Sequence, residues 1–157
     1  MISTPDPVSH HSLQIFSARA DCTSKKRCLE HIAEIISGYT SLDEHPLFNA
    51  LTERERMGST GLGHGVAIPH ARIGDLEKPI IVWMTLEKGI DFDSIDDQAV
   101  DVLVALLVPD GETQMHLNTL ARLASVFQTD GALDQFRAAT NDEQLSELVV
   151  QYGLNDL

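Results

Sequence analysis

Apolar positions along the chain change period several times, and each change marks an element. Cys28, Ile32, Ile35 and Ile36 return at helical spacing, so a helix is predicted over residues 25–37, capped by Thr23 or Ser24 and ended by Gly38. A second helix is predicted over residues 43–57, with Leu47, Phe48 and Leu51 inward, Pro46 tolerated in its first turn and Gly58 closing it. Residues 80–86 (IIVWMTL) and 100–108 (VDVLVALLV) are largely apolar and short, as strands buried on both faces are; Pro109 ends the latter. The stretch 13–22 is ambiguous and has room for a short edge strand. Leu117, Leu120, Ala121, Ala124 and Phe127 predict one face of a helix over residues 113–128, with Thr113 as its N-cap. Two shorter helices follow around 132–138 and 142–152, the latter introduced by the capping-box pattern Thr140-Asn141-Asp142-Glu143. Strands alternating with helices imply an α/β fold: a three-layer domain, a mixed β-sheet with helices on both faces. Residues 1–12, with two prolines and few apolar side chains, read as a flexible lead-in in which His10 and His11 are uninvolved, and residues 13–157 as a single domain.

One stretch departs from this regular pattern. Residues 58–73 read GSTGLGHGVAIPHARI, with glycine at 58, 61, 63 and 65. Glycines allow the backbone to turn at positive φ. Val66-Ala67-Ile68 is too short for a helix and suits a buried strand, which Pro69 stops for want of an N–H. His70 then sits on a stiff turn at the strand end, facing the glycine loop, where a histidine is well placed to do chemistry.

Composition narrows the function. A chain of 157 residues, 43% of them apolar, can bury a substantial core. A net charge of −13 and the lack of a Lys/Arg stripe argue against nucleic acid and favour a basic protein partner. Lys25-Lys26-Arg27 reads as a solvated helix face. No secretory signal or membrane-length apolar run is present, so a cytoplasmic protein without membrane insertion is expected. Cys22 and Cys28 match neither a zinc site nor a CxxC pair and read as reduced structural thiols. Asp91, Asp93, Asp96 and Asp97 crowd one loop. It lacks the central glycine and closing glutamate of an EF-hand, so a solvated acidic loop is expected in place of a calcium site.

GSTGLGHGVAIPHARI resembles the active-site signature of the type-2 enzyme IIA domains of the bacterial phosphoenolpyruvate:sugar phosphotransferase system, the fructose/mannitol and nitrogen-regulatory class. The resemblance runs from about Cys22 to the final helix. It includes Arg54-Glu55, the stretch GIDFDSIDDQAVD, and LLVP followed by His116-Leu117. Within the family the chain most resembles the nitrogen-branch regulatory protein. The resemblance implies that His70 carries a phosphoryl group, that His116 lies beside it, and that a histidine phosphocarrier protein is the donor, with downstream regulatory proteins as targets. Arg54, in the last turn of its helix, offers a planar fork of donors suited to phosphate. His116 in a first helical turn should be held neutral by the positive helix end. Gly61 and Gly63 would bring backbone N–H groups to the phosphate, and Ser59 and Thr60 would either bond it or stabilise the loop.

The family often has asparagine where this chain has His64, which keeps open a metal reading with His64, His70 and His116; no HExxH or i, i+4 histidine pair supports it, and neither metal nor cofactor is expected. Alternatives to the regulatory phosphocarrier are a sugar-specific enzyme IIA passing phosphate to a IIB domain, a binding module with a dead site, and a metal-dependent hydrolase. The lack of a IIB segment or transporter leans toward regulation.

Overall fold

The computed structural model describes residues 12–111 and 113–157. In chain order the elements are β1 (Leu13–Ala20), α1 (Lys25–Tyr39), α2 (Glu44–Arg56), β2 (Gly61–Gly63), β3 (Val66–Ala67), β4 (His70–Ile73), β5 (Ile80–Ile90), β6 (Val100–Pro109), α3 (Thr113–Phe127), α4 (Ala132–Ala138) and α5 (Asp142–Gln151). The strands form one six-stranded mixed sheet. β5 and β6 pair antiparallel at its centre, and β1 lies parallel to β5 at one edge. β3 and β4 both run parallel to β6, and β2 pairs antiparallel with β3 at the other edge.

The apolar runs are continuous because both sheet faces are covered. Val82 and Met84 of β5, with Leu103, Ala105 and Leu107 of β6, pack against α1 and α2 through Ile32, Ile36, Leu47 and Leu51. Ile81 and Trp83, with Val102, Val104 and Leu106, face α3, α4 and α5 through Leu123, Phe127, Phe136 and Val149. Alternate side chains thus feed two cores from one strand pair, and each fully buried aliphatic side chain contributes about 1.5–3 kcal/mol. The three-layer α/β architecture is the one the sequence predicts. The edge strand in residues 13–22 exists as β1. Of the expected lead-in, only Ser12 lies within the described residues; its N–H and hydroxyl both donate to the Leu157 carbonyl. His10 and His11 lie outside them.

Several boundaries differ from the sequence reading. Ser24, rather than Thr23, caps α1 by accepting the Arg27 N–H. Gly38 does not end that helix; α1 runs to Tyr39, and Thr40 closes it in an extended conformation, its hydroxyl donating to the Ile36 carbonyl at 2.8 Å. In α5 the cap is Asn141, which accepts the Gln144 N–H, while the Gln144 side chain reaches back to Thr140, so the capping pair sits one residue later than the motif suggests. The inward face of α3 is also rotated: Leu123 and Phe127 are buried, whereas Leu117 and Ala121 are exposed. Leu117 and Ala121 share the helical period but lie one step off the stripe that meets the sheet. Cys22 and Cys28 are buried free thiols.

Gly38 supplies a test of the first helix. It lies inside α1, and a β-carbon placed on it meets nothing within 4 Å. Gly38→Ala should therefore stabilise the fold by about 0.5–1 kcal/mol by restricting the unfolded chain, which raises Tm by about 1–4 °C. Thermal unfolding followed by circular dichroism checks this; a lower Tm would place Gly38 in a left-handed cap instead.

Candidate active site

The glycine stretch is a hairpin rather than an open loop. Gly63 pairs with Val66 across the two-residue turn His64-Gly65, whose φ angles are 57° and 85°. Two consecutive positive φ values define a type I′ turn, which asparagine-glycine fills most readily and which histidine can also enter. That accounts for His64 standing where the resemblance implies asparagine. The turn is held from both sides, as the His64 N–H donates to Asp96 Oδ2 at 2.9 Å and its carbonyl accepts from the Arg137 guanidinium at 2.6 Å. Arg137 also grips both oxygens of Asp101 through Nε at 2.9 Å. The glycines answer to packing. A β-carbon on Gly61 would strike the Ser94 side chain, and the Gly61 N–H is already engaged by Ser59 Oγ at 3.0 Å, so it is not an open phosphate cradle. Ser59 also donates to the Phe92 carbonyl at 2.8 Å. The acidic loop is consequently more than a solvated run: Phe92 and Ser94 are buried, and Asp96 holds the hairpin tip.

His70 is the first residue of β4 and not a turn residue. Val66 pairs with Val102 and His70 with Leu106, so the register on β6 is unchanged across Ile68-Pro69. Pro69 offers β6 no N–H, but its carbonyl still accepts from Leu106 N at 2.8 Å. Ile68 N–H turns outward to the Thr60 carbonyl at 3.1 Å. The Ile68 carbonyl lies beyond the start of β2 and meets Nδ1 of His70 at 2.8 Å. A carbonyl only accepts, so Nδ1 carries the proton. On the far side of the ring, Arg54 Nε donates to Nε2 at 3.2 Å, which requires a lone pair there. The ring is therefore the neutral Nδ1–H tautomer. Burial, and then the Arg54 guanidinium, push its pKa below the ordinary histidine value, although the Ile68 hydrogen bond opposes the shift. A second Arg54 nitrogen is anchored on the Gly58 carbonyl at 2.9 Å.

His116 arrives from the opposite face of the sheet. α3 begins at Thr113, so His116 falls in its first turn, and the rotation that exposes Leu117 turns His116 inward, where it is 7% exposed. Its ring stands edge-on to that of His70, with centroids 5.1 Å apart at 61°. Its pKa is lowered by burial first, then by His70, Arg72 and Arg54, the same direction as expected from the helix end. His116 Nδ1 is buried with no hydrogen-bond partner among the described residues. Thr113 was expected to cap this helix from outside; it is the first helical residue, and its side chain is outside those described.

The structure thus brings Arg54, His70 and His116 together from α2, β4 and α3. His64 does not join them at a metal site; among the described residues no group of His, Cys, Asp or Glu is arranged to hold a metal ion. Nor, among those residues, is any helix long and apolar enough to cross a membrane. Sequence reasoning assigned no role to Glu55. Its carboxylate is buried beside this cluster, accepting the Thr60 N–H at 3.2 and 3.1 Å as well as the Thr60 hydroxyl. A glutamate on the inward side of α2, beside an arginine, was the only available signal.

The chain is 41% identical over 140 residues to a nitrogen regulatory protein of Klebsiella oxytoca, covering 88% of this chain and 86% of that one. It is 43% identical over 133 residues to a nitrogen regulatory protein of Escherichia coli K12, covering 84% and 82%. The fold superimposes on the crystal structure of nitrogen regulatory protein IIA-Ntr from Neisseria meningitidis with a TM-score of 0.80 and 31% identity, over 91% of this chain and 94% of that one. Residues 11–152 match the family described as phosphoenolpyruvate-dependent sugar phosphotransferase system, EIIA 2, and the chain belongs to that family.

Proposed function

We propose that this chain is a cytoplasmic phosphocarrier of a nitrogen-related phosphotransferase system. It accepts a phosphoryl group on His70 from a histidine phosphocarrier protein and signals to regulatory proteins by its phosphorylation state. The observation that carries the reading is the polarity of the His70 ring, with its proton tied to Ile68 and its lone pair presented beside a guanidinium. In the transfer, Nε2 attacks the donor's phosphorus and a P–N bond forms. The donor's own P–N bond breaks, and its electron pair returns to the donor imidazole. The His70 ring becomes positive while keeping its Nδ1 proton, and the Ile68 carbonyl receives that stronger donor. Arg54 turns its Nε–H from the ring nitrogen to the phosphoryl oxygens, where a loose transition state spreads its charge. His116 supplies a second, neutral imidazole. Its buried Nδ1 has no hydrogen-bond partner among the described residues, which supports a role completed when the phosphoryl group is present. Similarity to nitrogen regulatory proteins supports the signalling role. The sugar-uptake alternative uses the same chemistry and is supported by the sugar system named in the family description.

Incubation with phosphoenolpyruvate, enzyme I and the phosphocarrier protein should add one acid-labile phosphoryl mass, absent from a folded His70→Ala variant. No gain in the parent chain would leave a binding module, and gain in His70→Ala would move the acceptor elsewhere. Onward transfer to a fructose- or mannitol-type IIB domain would favour sugar uptake. Charge-assisted hydrogen bonds are worth about 1.5–3 kcal/mol, so Arg54→Gln should fold normally and slow acceptance about 10–100-fold in rapid-quench assays. Arg54→Lys should recover only part of this, because an ammonium lacks the fork.

The pKa shift gives a further expectation with a definite sign. His70 binds its proton less readily folded than unfolded, so its contribution to stability is fully present above the ordinary value of 6.5. That contribution is lost as pH falls through 6.5 toward the folded value. NMR titration of the ring should show a midpoint below 6.5; a midpoint at or above it would mean that the ring is not held neutral.

A further inference from the structure

Glu55 is buried at 8% exposure, yet the transfer chemistry derived above does not use it. Burying a carboxylate is expensive, and pairing it with a cation rarely repays the whole cost. Its surroundings indicate what the expense secures. Thr60 gives Glu55 both its N–H, at 3.2 and 3.1 Å to the two oxygens, and its hydroxyl. Lys25 Nζ approaches at 3.6 Å from the first turn of α1, while lying 4.7 Å over the Phe92 ring. The Thr60 carbonyl then receives Ile68 N–H at 3.1 Å, and the Ile68 carbonyl receives the His70 ring proton at 2.8 Å. Successive helical residues point about 100° apart, so one turn of α2 can address both sides of the imidazole. Arg54 meets the lone pair directly, and Glu55 fixes the backbone that receives the proton.

We propose that Glu55 is a positioning residue that holds His70 in its Nδ1–H tautomer, by anchoring through Thr60 the strand segment whose Ile68 carbonyl takes the ring proton. The role rests on the phosphoryl-acceptor reading of His70, since it matters for transfer only if Nε2 is the nucleophile. Without the anchor, the entry to β2 and the exit from β3 lose their common support. The Ile68 carbonyl is then free to drift from the ring, and the proton can move to Nε2, where it blocks attack. The negative charge of Glu55 also favours the positive ring that transfer leaves behind.

The test separates tautomer from transfer. Nitrogen-15 NMR of the unphosphorylated parent chain should show His70 protonated at Nδ1 alone. Glu55→Ala should show a mixture with the Nε2–H form populated. Its maximal acceptance rate from the phosphorylated donor should fall about 10–100-fold, the scale of loss known for outer-shell partners of metal-bound histidines. The donor concentration for half-maximal rate should not change, because Glu55 lies beneath the surface. Glu55→Gln keeps an acceptor for Thr60 and should restore the single tautomer and most of the rate. If Glu55→Ala does not fold, Thr60→Val decides, since it removes one of the carboxylate's hydrogen bonds and should shift the tautomer and the rate in the same direction. An unchanged tautomer and rate in whichever of these two variants folds would overturn the proposal, as would a glutamine variant that behaves like alanine. Should the parent chain accept no phosphoryl group, the proposed function falls, while the ring-nitrogen spectra still decide what Glu55 does to His70.

Discussion

The hydrogen bond between the His70 ring proton and the Ile68 carbonyl is the contact around which the rest of the site is arranged. It fixes which nitrogen is protonated, and so which one has a lone pair to offer. Its existence depends on a pause in strand pairing. Pro69 has no N–H for the central strand, and β2 begins one residue too late in the chain to claim the Ile68 carbonyl. The register on β6 nevertheless stays the same on both sides of the pause, so His70 is held by a sheet and not by a loop. A strand-held imidazole loses little freedom when it meets a partner, which suits chemistry that depends on alignment.

The three-layer architecture lets the site draw on both cores. Arg54 comes from the helix pair on one face and His116 from the first turn of α3 on the other, and both meet at the edge where β4 lies on β6. Each core is dense enough to seat its helix firmly, with Leu47 and Leu51 beneath α2 and Leu123 and Phe127 beneath α3. The guanidinium and the second imidazole are therefore positioned by elements that do not depend on one another. His70 is the point they share.

Much of this was legible in the chain itself, and the misreadings have definite physical causes. The apolar runs at 80–86 and 100–108 announced strands buried on both faces, and the glycine stretch with its Pro-His step drew attention to His70. Gly38 was misread because glycine marks helix ends through its backbone freedom, and here that freedom is not used. The face of α3 was misphased because alanines and leucines outside the buried stripe satisfy the same period; the inward place of His116 came from the resemblance and not from that period. The hairpin was read as a loop because histidine is a less common occupant than asparagine of the first position in a type I′ turn. Glu55 was illegible for a different reason. A buried carboxylate is recognised only by the donors around it, and Thr60 and Lys25 come into place through folding.

The tip of the hairpin is clamped between Asp96 and Arg137, and a clamped tip cannot swing. Nothing in this segment is built to close over a group attached to His70, so the hairpin would give a phosphoryl cargo no lid. Its shelter from water would have to come from other elements or from whichever protein is docked at that moment. Handing it on would then amount to exchanging one cover for another, and between encounters the charged form would rely on the P–N bond and the grip of Arg54.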